Sequence, residues 1–374
     1  MKKVLVGTGL VFGLSAWVAP LAAGAQTPVR GDQALFVQTD NPTGNQVVAY
    51  DRAADGTLTL AGTYGTGGLG GVLNGSVVDH LASQGSLTFD RAHGVLYAVN
   101  ADSDTVSVFA VEGDRLALRQ VIDSGGQFPV SIAAHGDLVY VLNAKGQANV
   151  AGFRAAGDRL HAIHDSVRSL GLTIPGDTSQ FTHTPGQVAF SPDGSQLVVT
   201  TKANGNDIDV FGVRRDGRLD RAPTVNLEAG NVPFGVAFDG AGDLLVANAG
   251  PDSLSTYALH RNGSLTAIDS VANGQAATCW LVSVGGYFYT SNAGGPSLSG
   301  YQEAPGGTLD LLGSTSTDPG TVDAAGSPDG RYLYVQTGLN GIVDEFQIGS
   351  GGALLPIGSV TVAGGAGGEG IVAS

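Results

Sequence analysis

The sequence predicts an all-β chain closed as a seven-bladed β-propeller, four antiparallel strands to a blade, and three observations carry that prediction. The first is a polar residue closing the second strand of each unit: Thr39, Asn100, Asn143, Thr201, Asn248, Asn292 and Thr337. The second is a leucine opening each fourth strand after a Gly/Asp turn: Leu58, Leu116, Leu160, Leu219, Leu265, Leu309 and Leu354. Both markers count seven, and within a unit they lie 16 to 19 residues apart. A four-stranded repeat near 45 residues is the signature of a blade, which needs neighbours on both faces. The third observation is at the ends: no apolar run precedes Leu35, while the chain finishes with GEGIVAS, which reads as an inner strand. The C-terminus is therefore expected to complete blade 1, closing the ring and removing its open edges.

The clearest unit runs from Thr184 to Arg221. QVAF is its first strand, SPDG turns it into SQLVVTT, KANGND leads to IDVFGV, and RRDG turns that into a fourth strand at RLDR. Short apolar runs between Gly, Pro, Asn and Asp clusters are the hairpin signal. Glycine (59) and proline (15) make up about a fifth of 374 residues, below the level typical of disorder.

Residues 1–25 read as a secretory signal peptide: Met1-Lys2-Lys3, an apolar run from Val4 to Ala19, and Ala23-Gly24-Ala25 as the cleavage site. The expected product, residues 26–374, is a single propeller domain exported to the periplasm or the extracellular space. It keeps 16 basic against 33 acidic residues, a net charge of −17. That balance excludes nucleic-acid binding and attachment to anionic membranes, both of which need a basic footprint. No later stretch is long enough to span a membrane, and a monomer is expected. Cys279 is the one cysteine, so no internal disulfide forms.

Two inter-blade connections are long. From each fourth-strand leucine to the next second-strand marker the spacing is 27 to 29 residues, except for 42 between blades 1 and 2 and 41 between blades 3 and 4. Links from an outer to an inner strand emerge on the same face as the loops between strands two and three. Both insertions and the loop from Lys202 to Asp207 are therefore expected to crown one mouth of the central channel, where function tends to sit.

Of seven histidines, only His80 and His183 lie in those insertions, each just before an inner strand. They are the candidate acid–base groups, against the plainer reading of loop histidines bonded to backbone. Lys202 is the one lysine on the predicted mouth, followed by Asn204; it would bind an anion or polarise a carbonyl, or simply pair with a nearby carboxylate. Gln187, Asp323 and Glu369 open inner strands and would face the channel axis. Asp323 and Glu369, on neighbouring blades, could act as acid and base, share a cation, or only line a wet channel. No motif with metal-ligand spacing occurs, so no metal site and no cofactor are predicted, a cation in the acidic channel being the alternative. Trp280 is a platform for a ligand or inter-blade packing, and Cys279 beside it reads as a core thiol. The recurring asparagines read as turn structure. GTGGLG at Gly65–Gly70 lacks a following helix and reads as a loop.

SPDGSQLVV, SPDGRYLYVQT, LYAVNADSDTVSVFAV and VYVLNAKG resemble the bacterial lactonase-like seven-bladed propellers. That group includes 6-phosphogluconolactonase-like and carboxymuconate-cyclase-like proteins and is related to the YVTN repeat proteins. The resemblance implies lactone chemistry from His, Arg and Glu side chains around the channel mouth. Gly186 and Gln187 stand where many such relatives carry a further histidine, and Arg168 is the one arginine placed to reach the mouth. The reading that follows is a hydrolase opening a small lactone or related ester: catalytic His80, His183, Glu369 and Asp323; substrate-binding Lys202, Asn204, Gln187 and Trp280. The alternative is a non-catalytic exported propeller that binds a ligand or protein partner.

Overall fold

The computed structural model describes residues 1–5 and 33–374; the signal peptide read at residues 1–25 lies, beyond its first five residues, outside the described residues. Seven sheets of antiparallel strands follow one another, each with the four-strand order expected of a blade. The inner strands are Ile371–Ala373, Leu87–Asp90, Gln127–His135, Val188–Phe190, Pro233–Phe238, Thr278–Val284 and Thr321–Gly326 for blades 1 to 7. Blade 1 is closed by the chain's end. Leu35, Phe36 and Val37 pair with Ala373, Val372 and Ile371, and the Ser374 N–H donates to the Ala34 carbonyl at 2.8 Å.

The repeat markers have physical roles. Six of the seven leucines are buried between neighbouring sheets, and Leu265 is partly buried. Three residues before the second-strand marker, a tyrosine hydroxyl reaches the next blade's outer turn: Tyr140 to the Gly217 carbonyl, Tyr289 to Gly352 and Tyr334 to Gly56, at 2.8, 2.9 and 2.7 Å. The last of these latches blade 7 onto blade 1. The asparagines tie the second strand to the third: Asn100 to Ser107, Asn248 to Ser255 and Asn292 to Ser299, at 2.8 to 3.0 Å. Their recurrence is structural.

One expected strand is displaced. Blade 4's fourth strand is Thr224–Leu227, not RLDR at 218–221; Leu219 makes a single bridge to Val213. Pro223 has no N–H to give a ladder, and the carbonyls of Leu219 and Asp220 are held by Arg168 at 2.8 Å each. Arg168 is thus a buried staple between the outer parts of blades 3 and 4 and is not among the cavity-lining residues.

The larger departure concerns the first insertion. It enters the channel instead of crowning it. The His80 N–H bonds the Gly367 carbonyl at 2.7 Å, the Gln84 N–H bonds Gly186 at 3.1 Å, and the Ser83 hydroxyl bonds Val130 at 2.9 Å. Across the ring, the Gln84 amide both donates to the Leu281 carbonyl (2.6 Å) and accepts from its N–H (3.0 Å). Residues 79–86 are therefore a plug bonded to inner strands on opposite sides of the axis. Glycine makes room for it: a Cβ on Gly338 would lie 1.6 Å from the Val78 carbonyl oxygen.

Candidate functional site

Between the plug and blades 4 to 6 lies a cavity of about 520 Å³. Its walls come from both insertions (Val78, Asp79 and Ala82; Phe181 and Thr182), from the Lys202 loop, and from Phe234, Cys279 and Trp280 on the inner strands of blades 5 and 6. The three segments expected at one mouth do meet there. Twelve of the sixteen lining residues are apolar, so what decides the chemistry is the short list of polar groups.

Lys202 is 1 % exposed, and its Nζ donates to the carbonyls of Ala82 (2.5 Å) and Phe181 (2.6 Å) and contacts the Thr184 hydroxyl at 3.0 Å. It joins plug, second insertion and blade 4, with the Phe234 ring 5.2 Å away. Burial pulls the ammonium's pKa down to about 7, against the attraction of Asp79. Asp79 belongs to the plug. Its Oδ1 accepts from Leu81 N–H (2.8 Å) and its Oδ2 from Ser83 N–H (2.9 Å), which shapes the turn that follows. Burial pushes its carboxyl up to about 6, opposed by these N–H groups, that of Ala82, and the Lys202 charge. An acid and a base drawn toward neutrality from opposite sides in one cavity wall are the pattern of an acid–base site.

Behind Asp79 sit three more buried carboxyls. Glu369 accepts from Gly85 N–H at 2.9 Å, and its own N–H donates to Asp40 Oδ2 at 2.8 Å. Asp40 also takes the Gln38 amide. Asp323 and Glu369, on neighbouring blades, lie close enough for the Asp323 charge to raise the Glu369 carboxyl. Burial pushes Asp40 up to about 8 and Asp323 to about 7, and it raises Glu369 well above the usual carboxyl range with help from the repulsion of Asp323, Asp79 and Asp40. The lining expected of a wet channel is thus enclosed beneath the plug. Among the described residues no group of three or more His, Cys, Asp or Glu is arranged to hold a metal ion.

Of the remaining candidates, His80, His183, Asn204 and Gln187 stand outside the cavity wall. His80 Nδ1 is buried without a partner, burial lowers the ring's pKa, and Gly367 passes so close that a Cβ would lie 2.1 Å from Nε2. His183 Nδ1 sits 2.9 Å from the Ser179 carbonyl, while its own carbonyl accepts from Asn204 at 2.8 Å. Gln187 accepts the Val236 N–H at 2.6 Å, joining blades 4 and 5. Trp280 lines the cavity, packs against Phe234 with ring centroids 4.9 Å apart and planes tilted by 55°, and donates its indole N–H to the Ser83 carbonyl at 2.6 Å. Beside it, burial pushes the Cys279 thiol up to about 12, as a core thiol requires. Asp79, next to His80, carries no repeat or motif signal in the sequence.

The carboxyl cluster makes stability pH-dependent. Each raised carboxyl contributes stability that is fully present below the ordinary carboxyl range, about pH 4, and lost as pH rises through its folded-state value, here about 6 to 8. His80 and Lys202, both lowered by burial, act the other way, two groups against four. The melting temperature is expected to be at least about 5 °C lower at pH 8.5 than at pH 5.5. A flat or rising profile in scanning calorimetry would contradict the charge states assigned here.

No family model matches the chain, and no curated protein matches it in sequence. Solved structures do. A candidate 6-phosphogluconolactonase of Bacteroides fragilis superposes with a TM-score of 0.72 at 18% identity, over 93% of this chain and 99% of that one. Its counterpart from Bacteroides uniformis gives 0.73 at 18%, over 92% and 100%. The periplasmic gluconolactonase of Pseudomonas aeruginosa gives 0.70 at 18%, over 91% and 98%. The chain has the fold of the lactonase-like propellers. At this identity the likeness extends to the fold alone. It meets the expectation drawn from the repeat motifs.

Proposed function

We propose that the protein is a lactonase-like hydrolase that opens a small lactone or related ester in the cavity between the plug and blades 4 to 6. The observation that carries this is Asp79 and Lys202 in one cavity wall, their pKa values drawn to about 6 and about 7. A carboxylate offers about four acceptor positions, and the Leu81 and Ser83 N–H groups take two of Asp79's. A free position takes a proton from water as its oxygen attacks the lactone carbonyl. The tetrahedral oxyanion forms beside the Lys202 ammonium, whose bonds to protein oxygens hold the charge in place before reaction. Asp79 then returns the proton to the departing ring oxygen, leaving a hydroxy acid. The Asp79 charge in turn raises the proton affinity of Asp40, Asp323 and Glu369 behind it.

A second reading, ligand binding without turnover, is favoured by one fact: the polar atoms of Lys202 and Asp79 are already bonded to protein. The test is proton release from a panel of aliphatic and sugar lactones at pH 6.5, with spontaneous hydrolysis subtracted. Turnover that saturates with substrate supports the hydrolase. Saturable binding with no turnover across the panel moves the assignment to a binding module. In the same reading residues 1–25 direct export, and N-terminal sequencing of the exported protein should begin at Gln26.

A further inference from the structure

The cavity wall also says which lactones fit. We propose that the ligand is an uncharged lactone or ester carrying an alkyl chain, not a sugar lactone or a phosphorylated one; this rests on the hydrolase reading above. A cavity of about 520 Å³ lies within the roughly 300–1,000 Å³ of sites that enclose small organic ligands. Its body is Val78, Phe181, Val232, Phe234, Ala249 and Trp280. Such a surface gains free energy from methylene groups and offers nothing to hydroxyls.

The polar groups argue the same way. A polyhydroxylated ring needs a partner for every buried hydroxyl, and only Ser76, Asp79, Thr182 and Lys202 among the lining residues carry polar side chains. A phosphate needs a cation with free donors. Lys202 is the one cation in the wall, and its Nζ already has the Ala82 and Phe181 carbonyls and the Thr184 hydroxyl as partners. Opening a neutral lactone creates a carboxylate, so the same wall that admits substrate disfavours product, which helps release.

Trp280 provides the readout. The sequence has two tryptophans, so in the full-length Trp17→Phe chain it is the one indole, and it lines the cavity. Titrating this variant with γ-hexalactone, γ-octalactone and γ-decalactone should change its fluorescence saturably. Affinity should rise about fourfold per added methylene until the cavity is full. δ-Gluconolactone, 6-phosphogluconolactone and 4-hydroxydecanoate should each bind at least about tenfold more weakly than γ-decalactone. Ala293→Leu, which fills the wall without touching a charged group, should weaken γ-decalactone at least about tenfold with the melting temperature kept. Tighter binding or faster turnover of either sugar lactone than of γ-decalactone would overturn the ligand class and leave the hydrolase reading standing. Alkyl-lactone binding with no turnover of any lactone would keep the ligand class and remove the hydrolase. No response to the alkyl series up to its solubility limit would overturn the proposal.

Discussion

Deleting Gly368–Ser374 is expected to lower the melting temperature by at least about 10 °C, or to leave a chain that aggregates on expression. The segment supplies the inner strand of blade 1, so its loss exposes the ladder groups of Ala34–Gln38 as an open sheet edge. Ile371 and Ala373 leave the core shared by blades 7 and 1, and Val372 leaves the one between blades 1 and 2. Glu369 goes as well, freeing Gly85 N–H and Asp40 from their partner and loosening the plug. These are several independent losses of about 1–3 kcal/mol each. For a domain of this size each kcal/mol moves the midpoint by about 2 °C. Relief of carboxyl repulsion when Glu369 is lost offsets part of this, a share that melting at pH 5.5 and at pH 8.5 separates. A truncated chain that melts cooperatively at the parental temperature would show that the Tyr334–Gly56 latch and sheet packing close the ring without the strand.

That closure was legible because it is written in local chemistry. Turn residues, alternating strands and a leucine after each outer turn recur seven times, and GEGIVAS completes the count by matching the other inner strands. The plug was not legible, for a physical reason. Residues 79–86 form no regular element; their positions are set by contacts with distant inner strands, such as the reciprocal bonds of Gln84 with Leu281. No periodicity reports such a path. Lys202 was visible as a lone cation near the mouth, whereas its three partners come from segments 18 to 120 residues away. Asp323 and Glu369 were read as neighbours and influence each other's charge, yet the lid of protein above them had no sequence signal. Arg168 shows the opposite error: a charge in a long loop suggests a site, but this one is spent on four backbone carbonyls.

The charge assignments at the cavity lead to the largest catalytic effect. Asp79→Asn is expected to lower kcat/KM for lactone opening by about two to four orders of magnitude, the scale of a lost general base. The amide keeps the shape but cannot take the proton, and Oδ1 or Oδ2 must be replaced by a donor that faces a backbone N–H. Some loss of stability is therefore expected, and the pH profile separates it from lost chemistry. In the parent, activity needs Asp79 ionised and Lys202 protonated, so kcat/KM should rise through about pH 6 and fall above about pH 7. In Asp79→Asn the rising limb should disappear while residual activity keeps the falling one. A merely unfolded fraction would scale the whole bell without changing its shape. Lys202→Met should lose activity and also melt lower, since it strands two buried carbonyls and a hydroxyl. His93→Ala, in the turn between the first and second strands of blade 2, is the control and should match the parent. If turnover instead survives in Asp79→Asn and vanishes in His183→Ala or His80→Ala, the base is a histidine of the insertions, and the cavity wall only binds.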